Sequence, residues 1–330
     1  MANEETDIHT VKLVDIPLVK RLIESGLALD SELACTRAVH SDLFSTFFLP
    51  QRGLHTLMAR AGKEHVVGQF RLKPDETHAR IVYLAPGLND DDDDTAWLHI
   101  LDAMAAEAGR RGAHILTAEV DEFQPLFETM RVSGFSIYAR QEIWQRNPDR
   151  PFLLPEQVDP MCAQPVTLTE ATEADAHGIH LLYTNIVPRL VQPIATPPSH
   201  TTGYVYRRND RVEGYVALSE GRNGIYLLPY LHPDVFSEAA MILAAAITQA
   251  SRLDRVPVYV CVRRYQDWLE DALIELGFEP AAQQALMVRH IAAGVRHTAF
   301  APLSHRLEAV PNSINPPKVA ETLLDYPNQE

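Results

Sequence analysis

Apolar and polar positions alternate along this chain with two different periods, and each period predicts a different kind of element. A period of two over residues 211–219 and 224–231, joined by a Glu-Gly-Arg-Asn turn, predicts a β-hairpin. Continuous apolar runs over residues 114–120 and 258–262 predict strands that are buried inside a sheet. Strands are therefore expected in both halves of the chain.

The helical period of 3.6 residues is clearest in two apolar stripes, and each stripe predicts a helix. The stripes consist of Trp97, Leu98, Leu101, Met104, Ala105 and Ala108, and of Trp268, Leu269, Ala272, Leu273 and Leu276. Gly277 follows the second stripe, where the left-handed conformation commonly ends a helix. Helices are also predicted over residues 16–27 and 173–187, and final strands over residues 136–144 and 286–290.

Three landmarks recur at one constant spacing. The motif YLAPGL begins at Tyr83, and YLLPYL begins at Tyr226, 143 positions later. The dipeptide Gly-Phe at positions 134 and 277 has the same spacing, as do Gln141 and Gln284. A period this long indicates two globular copies, because solenoid repeats run roughly 20–50 residues. The sequence therefore predicts a duplication.

Proline-rich segments predict the domain boundaries. Residues 147–165 contain five prolines, which disfavour regular structure and predict a linker. We predict an N-terminal domain over residues 1–146, a C-terminal domain over residues 166–292 and an extended C-terminal arm over residues 293–330. The element order in each copy predicts an α/β (α+β) fold with a mixed, mostly antiparallel sheet and helices on both faces. The two domains are expected to pack on each other.

Composition narrows the classes of function. A formal net charge of −15 opposes binding to a nucleic acid backbone. The most apolar stretch, residues 241–247, is shorter than the roughly 18 residues that a membrane span needs. The three cysteines are widely spaced and form no Cys-x-x-Cys pair, which favours reduced thiols. We therefore expect a cytoplasmic protein that binds neither nucleic acid nor membranes.

The order of elements resembles that of the GNAT superfamily of acyltransferases. The sequence TLTEATEAD at residues 167–175 is similar to the first strand and following turn of that family. Residues 266–278, which end in IELGF, are similar to the helix before its final strands. The resemblance implies a tandem N-acyltransferase that uses acetyl-CoA or another acyl-CoA. Its acceptor would be a small-molecule amine or a peptide.

The resemblance also implies a cofactor-binding stretch after the central strand of each copy. In the second copy this stretch gives the candidates Leu231, Phe236, Ser237, Glu238, Ala239 and Ala240, with Arg263 as a candidate for the CoA 3′-phosphate. An ordinary surface ion pair is the alternative role for Arg263. Phe236 occupies the family's basic position, and Ala239 and Met241 occupy its small-residue positions. In the first copy the equivalent stretch is the acidic run over residues 90–94, where we expect solvated charge at a helix start.

The candidate catalytic residues lie along the same strand of the second copy. The resemblance implies that Tyr226 faces the substrate, and that His232 or Glu220 accepts the amine proton through water. The alternatives are a packed aromatic for Tyr226 and a polar surface residue for His232. The positions of the family's catalytic tyrosine hold Met130 and Leu273, which cannot donate a proton. His177 and His180 stand one helical turn apart, but no third ligand accompanies them, so no metal site is predicted.

Three hypotheses follow. The first is an acyltransferase in which the second copy is active. The second is a catalytically degenerate pair, a pseudoenzyme that binds a ligand or a protein. The third is a tandem scaffold whose two sheets associate across an interface, which predicts that separated halves aggregate or unfold.

Overall fold

The computed structural model describes residues 7–37, 53–74, 76–149, 166–195 and 202–291. The predicted linker falls almost wholly outside these residues, and the predicted arm falls wholly outside them. We call residues 7–149 the first half and residues 166–291 the second half. None of the helices within the described ranges is long and apolar enough to cross a membrane.

The first half contains the elements β1 (Asp7–Thr10), α1 (Ile16–Ile23), β2 (Leu27–Ala28), α2 (Ser31–Thr36), β3 (Leu54–Ala61), β4 (Glu64–Arg71), β5 (His78–Ala85), α3 (Thr95–Arg110), β6 (Ile115–Asp121), α4 (Pro125–Val132) and β7 (Ser136–Arg146). The second half contains β8 (Leu168–Glu170), α5 (Ala176–Ile186), β9 (Thr202–Arg208), β10 (Arg211–Glu220), β11 (Ile225–Leu231), α6 (Ala239–Ile247), β12 (Val258–Arg263), α7 (Glu270–Glu275) and β13 (Glu279–His290). Short 3₁₀ segments precede α1, α5, α6 and α7. The predicted order of elements is therefore confirmed in both halves.

Local sequence accounts for several element boundaries. Gly277 has a φ of +79°, and its counterpart Gly134 has a φ of +88°, so both end a helix in the left-handed conformation. Asn209 and Asp210 also have positive φ, at 51° and 62°. Such a pair forms the tight turn that joins β9 to β10, and its backbone twist suits a hairpin.

The strands form a single mixed sheet in the order β1-β3-β4-β5-β6-β13-β7-β12-β11-β10-β9-β8, with β2 beside β5. Among the strands of the described residues, only β5–β6 and β11–β12 are parallel pairs. The predicted mixed, mostly antiparallel sheet is thus confirmed. Its continuity across both halves was not predicted.

The final strand of each half lies in the other half. β13 pairs with β6 and β7 of the first half, whereas β7 pairs with β12 of the second half. Gln141 of β7 stands directly opposite Gln284 of β13, and its Nε2 donates to Oε1 of Gln284 at 2.8 Å. Two positions related by the 143-residue spacing therefore meet at the centre of the sheet.

Helices cover both faces because successive strand residues point to opposite sides. Leu57 and Ala59 of β3 pack in the core beneath α3 and α4, while Met58 packs in the core beneath α1. In the second half, Leu227 packs beneath α6, and Leu228 packs beneath α5. The predicted helices on both faces are confirmed.

Helix α2 of the first half also binds the hairpin of the second half. The Ser219 hydroxyl donates to Oε1 of Glu32 at 2.7 Å, and the backbone N–H of Asn223 donates to the Thr36 carbonyl at 3.2 Å. A Cβ atom at Gly221 would lie 1.9 Å from that carbonyl oxygen, so only glycine fits there. The halves are joined through this contact as well as through the exchanged strands.

The exchange of strands predicts that neither half is stable alone. Expressed separately, residues 1–150 and 160–330 should self-associate or aggregate, because unpaired strand edges recruit other chains. An equimolar mixture should give a one-to-one complex with a single melting transition. Size-exclusion chromatography with light scattering checks the masses. Two monomeric halves that melt independently would contradict the exchange.

Candidate functional site

Parallel strands part in each half and open a V-shaped gap in the sheet. In the second half, β11 and β12 pair only over residues 225–227 and 258–260, and β5 and β6 pair only over residues 78–80 and 115–117. Ile225 donates its N–H to the Pro257 carbonyl at 3.0 Å, so alternate N–H groups of β11 face β12. The proline at position 229 has no N–H to continue this ladder.

The chain itself fills the V of the first half. Leu29 donates its N–H to the Val82 carbonyl at 3.1 Å, and its own carbonyl accepts from the Glu119 N–H at 2.9 Å. Val82 is the extra residue of a bulge in β5, which accounts for a carbonyl that faces the gap. The short strand β2 pairs with β5 next to this bridge. Backbone therefore occupies the gap in this half.

Within the described part of the second half, one side chain closes the V. Gln266 lies in the 3₁₀ segment Arg264–Leu269 and is 2% exposed. In the amide orientation that satisfies both of its ends, Nε2 donates to the Pro229 carbonyl at 3.1 Å and Oε1 accepts from the Leu231 N–H at 3.0 Å. The backbone groups with which β11 could bind another chain or a ligand are thus held by one glutamine.

A buried polar cluster lies between the two gaps, where the halves meet. Ser31 donates its N–H to Oε2 of Glu119 at 2.8 Å and its hydroxyl to Oε1 of Gln284 at 2.6 Å. Nε2 of Gln141 donates to the Ser31 hydroxyl at 3.2 Å. Nη2 of Arg263 completes the cluster, 3.4 Å from Oε1 of Glu119. These contacts connect β6, β13, β7 and β12.

Several polar atoms in and beside this cluster are buried without a hydrogen-bond partner in the described part of the chain. Arg263 is 5% exposed, yet its Nε and Nη1 have no hydrogen-bond partner among the described residues. The Tyr265 hydroxyl and Oε1 of Gln141 are also buried without a hydrogen-bond partner among these residues. Because unpaired buried polar groups cost free energy, such a concentration indicates a place for a polar ligand or ordered water.

Burial governs the ionisation of the side chains around Arg263. It raises the pKa of the Cys261 thiol to about 11 and that of the Tyr265 hydroxyl to about 12. It also raises the pKa of Tyr226 and of Tyr230 well above the ordinary value. Burial opposes the charge of Arg263, but Cys261 and Glu119 outweigh it and the pKa of the guanidinium is raised. At neutral pH the site therefore holds a cation among protonated hydroxyl and thiol groups.

The structure brings together two of the predicted residues. Tyr226 and Arg263 interact on the face of the sheet that carries Cys261. The alternative prediction of a surface ion pair for Arg263 is corrected, because its partner Glu119 is also buried, at 6% exposure. Arg263 is equally unavailable to a phosphate at the protein surface.

The two predicted bases lie apart. Glu220 accepts from the N–H and the hydroxyl of Ser251 at 3.0 and 2.6 Å, beside the first residue of β11. His232 follows the last residue of β11, and a strand of this length spans about 20 Å. Its Nδ1 faces Glu213 and Asp234 at 3.5 and 3.4 Å. These two residues therefore do not act on one substrate atom together.

The predicted cofactor-binding stretch of the second half is a 3₁₀ segment, Pro233–Glu238, followed by α6. Leu231 and Ala239 are fully buried, and Ala240 is nearly so. The Ala239 N–H donates to the Phe236 carbonyl, so this turn already uses a donor that a phosphate would need.

No side chain of this stretch carries the positive charge that a phosphate would need. Phe236 is exposed and packs on Trp268, with ring centroids 5.8 Å apart. The Ser237 hydroxyl donates to Glu238 at 3.2 Å, and Arg208 lies 3.7 Å from the same carboxylate. The stretch therefore offers no cation that is free of a carboxylate partner.

The acidic run of the first half serves the start of α3. Asp93 accepts from the N–H and the hydroxyl of Thr95 at 3.0 and 2.6 Å, and these hydrogen bonds lower the pKa of Asp93. Asp94 accepts from the Thr129 hydroxyl at 3.0 Å. Carboxylates are favourable at this end of a helix, and they oppose a phosphate there.

The architecture is similar to that of solved acetyltransferase structures. A tandem GNAT protein from the clavulanic acid biosynthesis pathway superposes with a TM-score of 0.53 over 87% of this chain and 99% of its own, at 16% identity. A GCN5-related N-acetyltransferase from Sphaerobacter thermophilus superposes with a TM-score of 0.54 over 88% of this chain and 97% of its own, at 9% identity. A putative acetyltransferase from Pyrococcus horikoshii gives a TM-score of 0.50 over 88% of this chain and 91% of its own, at 12% identity.

The chain has the GNAT fold in each half. No model of a protein family matches it, and no curated protein matches it in sequence. At these identities the likeness concerns the GNAT fold and not the chemistry. The site residues are therefore argued from their own geometry.

The structure adds residues that sequence reasoning missed. Contacts between residues that are far apart in sequence bring three further side chains to the site: Glu119, Tyr265 and Gln266. No local motif therefore identified them. Pro229 was visible in the repeated motif, and its counterpart Pro86 occupies the same position in the first copy. A proline there, in a strand predicted to be central, was a usable signal that strand pairing ends.

The buried pair of Glu119 and Arg263 predicts a large effect of removing one partner. Glu119→Ala should lower the free energy of unfolding by about 3–5 kcal/mol, because it leaves an uncompensated buried charge. Glu122→Ala is the matched control, since its pair with Arg140 at 2.7 Å is partly exposed and should contribute less than about 1 kcal/mol. Denaturant unfolding measures both variants. Equal effects would contradict the assigned role of Glu119.

Proposed function

We propose that the protein is a GNAT-type N-acyltransferase whose second half is the active one. An acyl group would pass from acetyl-CoA or another acyl-CoA to the amine of a small molecule or a peptide. The observation that carries the proposal is the set of buried, unpartnered donors of Arg263 and Tyr265 beside the gap of the second half. The cytoplasmic location expected from the sequence suits such a substrate.

The two gaps differ in how they are closed. Two backbone hydrogen bonds of Leu29, which lies between β2 and α2, fill the first gap. Among the described residues, the Gln266 side chain closes the second, through two hydrogen bonds to β11. Rotation of this side chain breaks those two bonds without breaking a backbone bridge. We therefore assign the first half a supporting role, which includes supplying Glu119 to Arg263.

Preorganised donors suit the chemistry of acyl transfer. The cofactor, when bound, would supply a thioester. Attack by an amine forms a C–N bond and breaks the C–S bond, and negative charge develops on the carbonyl oxygen. The unpaired N–H groups of Arg263 would stabilise that charge. The Tyr265 hydroxyl, which stays protonated at neutral pH because burial raises its pKa to about 12, would donate a hydrogen bond to the departing sulfur.

The proposal assigns the amine proton to water. Glu220 is engaged by Ser251, and His232 lies beyond the opposite end of β11. Tyr226 and Cys261 would line the site as neutral groups, because burial raises the pKa of each. The prediction of His232 or Glu220 as a base therefore gains no support from the geometry.

The phosphate end of the site predicts weak cofactor binding. Phe236 and Glu238 stand where the family has a basic residue and small residues. A carboxylate repels a pyrophosphate, and the Ala239 N–H is already bonded within the preceding turn. The unpartnered donors of Arg263 and Tyr265 support the proposal at the acyl end of the cofactor, and the Pro233–Glu238 segment does not support it at the phosphate end.

A catalytically degenerate pair that binds a ligand or a protein is the second candidate. The observation that favours it is that each gap is closed by the chain's own groups, Leu29 in one half and Gln266 in the other. This candidate predicts no acyl transfer to any amine. It also predicts no saturable binding of CoA.

Removing the glutamine that closes the second gap should strengthen cofactor binding. Gln266→Ala frees the Pro229 carbonyl and the Leu231 N–H, so we expect acetyl-CoA to bind several-fold more tightly than to the unmodified chain. Isothermal titration with acetyl-CoA and with free CoA measures this effect. Gln249→Ala is the matched control, since its amide contacts only the Ala245 carbonyl, at 3.4 Å, on an exposed surface.

The outcomes separate the two candidates. Saturable binding that is strengthened by Gln266→Ala and unchanged by Gln249→Ala supports the acyltransferase. If neither the unmodified chain nor Gln266→Ala, shown to be folded by its melting transition, binds acetyl-CoA at millimolar concentration, the acyltransferase proposal fails and the degenerate pair is preferred.

A further inference from the structure

We propose that Glu213, His232 and Asp234 form a binding site for a divalent metal cation, with Zn²⁺ as the preferred ion. The trio lies where β10 ends its pairing with β11, and it is separate from the Arg263 cluster. The proposal does not depend on acyltransferase activity. Among the described residues, these three are the group whose nitrogen and oxygen ligand atoms converge.

The distances within the trio match a tetrahedral site. Nδ1 of His232 lies 3.5 Å from Oε2 of Glu213 and 3.4 Å from Oδ2 of Asp234. All three ligand atoms lie within 4.8 Å of one another. Zinc bonds of about 2.0–2.1 Å place neighbouring ligand atoms of a tetrahedron about 3.3 Å apart. Nδ1 of His232 also accepts from the Asp234 N–H at 3.3 Å. An ion between these atoms would therefore replace that hydrogen bond and require small movements of the side chains.

The carboxylate of Glu213 is buried and incompletely bonded. Its side chain is 9% exposed, and its Oε2 has no hydrogen-bond partner among the described residues. The 3.5 Å separation from Nδ1 of His232 is too long for a normal hydrogen bond. A buried carboxylate oxygen without a donor costs free energy. A cation in the trio would remove that cost.

Backbone geometry directs Glu213 and His232 toward each other. The register of β9 and β10 shifts between Val212 and Gly214, so Glu213 is the extra residue of a bulge. Bulges commonly redirect a side chain beside a functional site. The His232 N–H donates to the Glu213 carbonyl at 2.9 Å, which fixes the two backbones side by side. Backbone pairing thus fixes the positions of two of the three ligands, Glu213 and His232.

The trio leaves a coordination position open. His232 also lines a surface cavity of about 690 Å³ that extends to α5, with Leu181 and Arg207 on its walls. A water molecule from this cavity would complete a four-coordinate ion, the arrangement typical of zinc sites that bind a further ligand. One imidazole with two carboxylates favours Zn²⁺ over Mg²⁺ or Ca²⁺, which prefer oxygen ligands alone.

Two cations border the trio. Nε of Arg211 lies 3.4 Å from Oε1 of Glu213, and Nη1 of Arg208 donates to the Asp234 carbonyl at 2.9 Å. Arg211 opposes a second cation, so we expect binding of moderate strength. The competing account is a structural imidazole whose Nδ1 accepts from the Asp234 N–H at 3.3 Å with no metal, and the test distinguishes the two.

Zinc titration of the metal-free full-length chain tests the proposal. We expect one Zn²⁺ per chain by calorimetry and a rise in melting temperature on zinc addition. Glu213→Gln and His232→Gln should each weaken zinc binding more than tenfold, since even outer-sphere partners of a metal contribute roughly 10–100-fold. Mg²⁺ and Ca²⁺ should bind more weakly than Zn²⁺.

Two control variants test the location of the ion. Glu238→Gln removes a neighbouring carboxylate outside the trio, and His180→Gln removes an exposed histidine of α5. Both should bind Zn²⁺ like the unmodified chain. Melting of each metal-free variant establishes that it is folded. Absence of zinc binding, or binding that folded Glu213→Gln and His232→Gln leave unchanged, would overturn the proposal.

Discussion

The exchange of β7 and β13 between the halves is the constraint on which the rest of the structure depends. Each half of the chain could have completed its own sheet, but here each final strand completes the sheet of the other. The exchange brings Gln141 and Gln284 face to face and makes one hydrogen-bonded sheet from the two halves. It also makes the free energy of folding of either half depend on the other half.

The candidate site follows from this junction. Arg263 ends β12, and its buried charge is balanced by Glu119, which only the first half can supply. Ser31, which follows the segment that fills the first gap, donates to both Glu119 and Gln284. The closed gap of the first half and the donor-rich gap of the second are therefore parts of one polar cluster. The first half therefore supplies groups that the polar cluster of the second half needs.

Sequence pattern predicted elements well and partners poorly. The apolar stripes gave α3 and α7, Gly277 marked a helix end, and the 143-residue spacing identified two residues that meet in space. A period of two shows that a residue lies on a strand, but it does not say which strand lies alongside, so the exchange was not predictable. Arg263 could be assigned to a strand end, but its burial depends on Glu119, which is remote in sequence. Leu29 closes its gap with its own backbone, and Gln266 closes its gap with a side chain that bonds to the backbone of β11. Neither contact follows from the pattern of apolar positions.

An engineered disulfide between the halves tests the central claim most directly. Ile115 of β6 stands opposite His290 of β13, and facing residues of antiparallel strands have Cα atoms about 4.5–5.5 Å apart, within disulfide range. In a chain whose own cysteines are replaced by alanine, Ile115→Cys with His290→Cys should form an intramolecular bond in the monomer, detected by non-reducing peptide mapping. Free thiols at both positions in the folded, oxidised monomer would contradict the exchange.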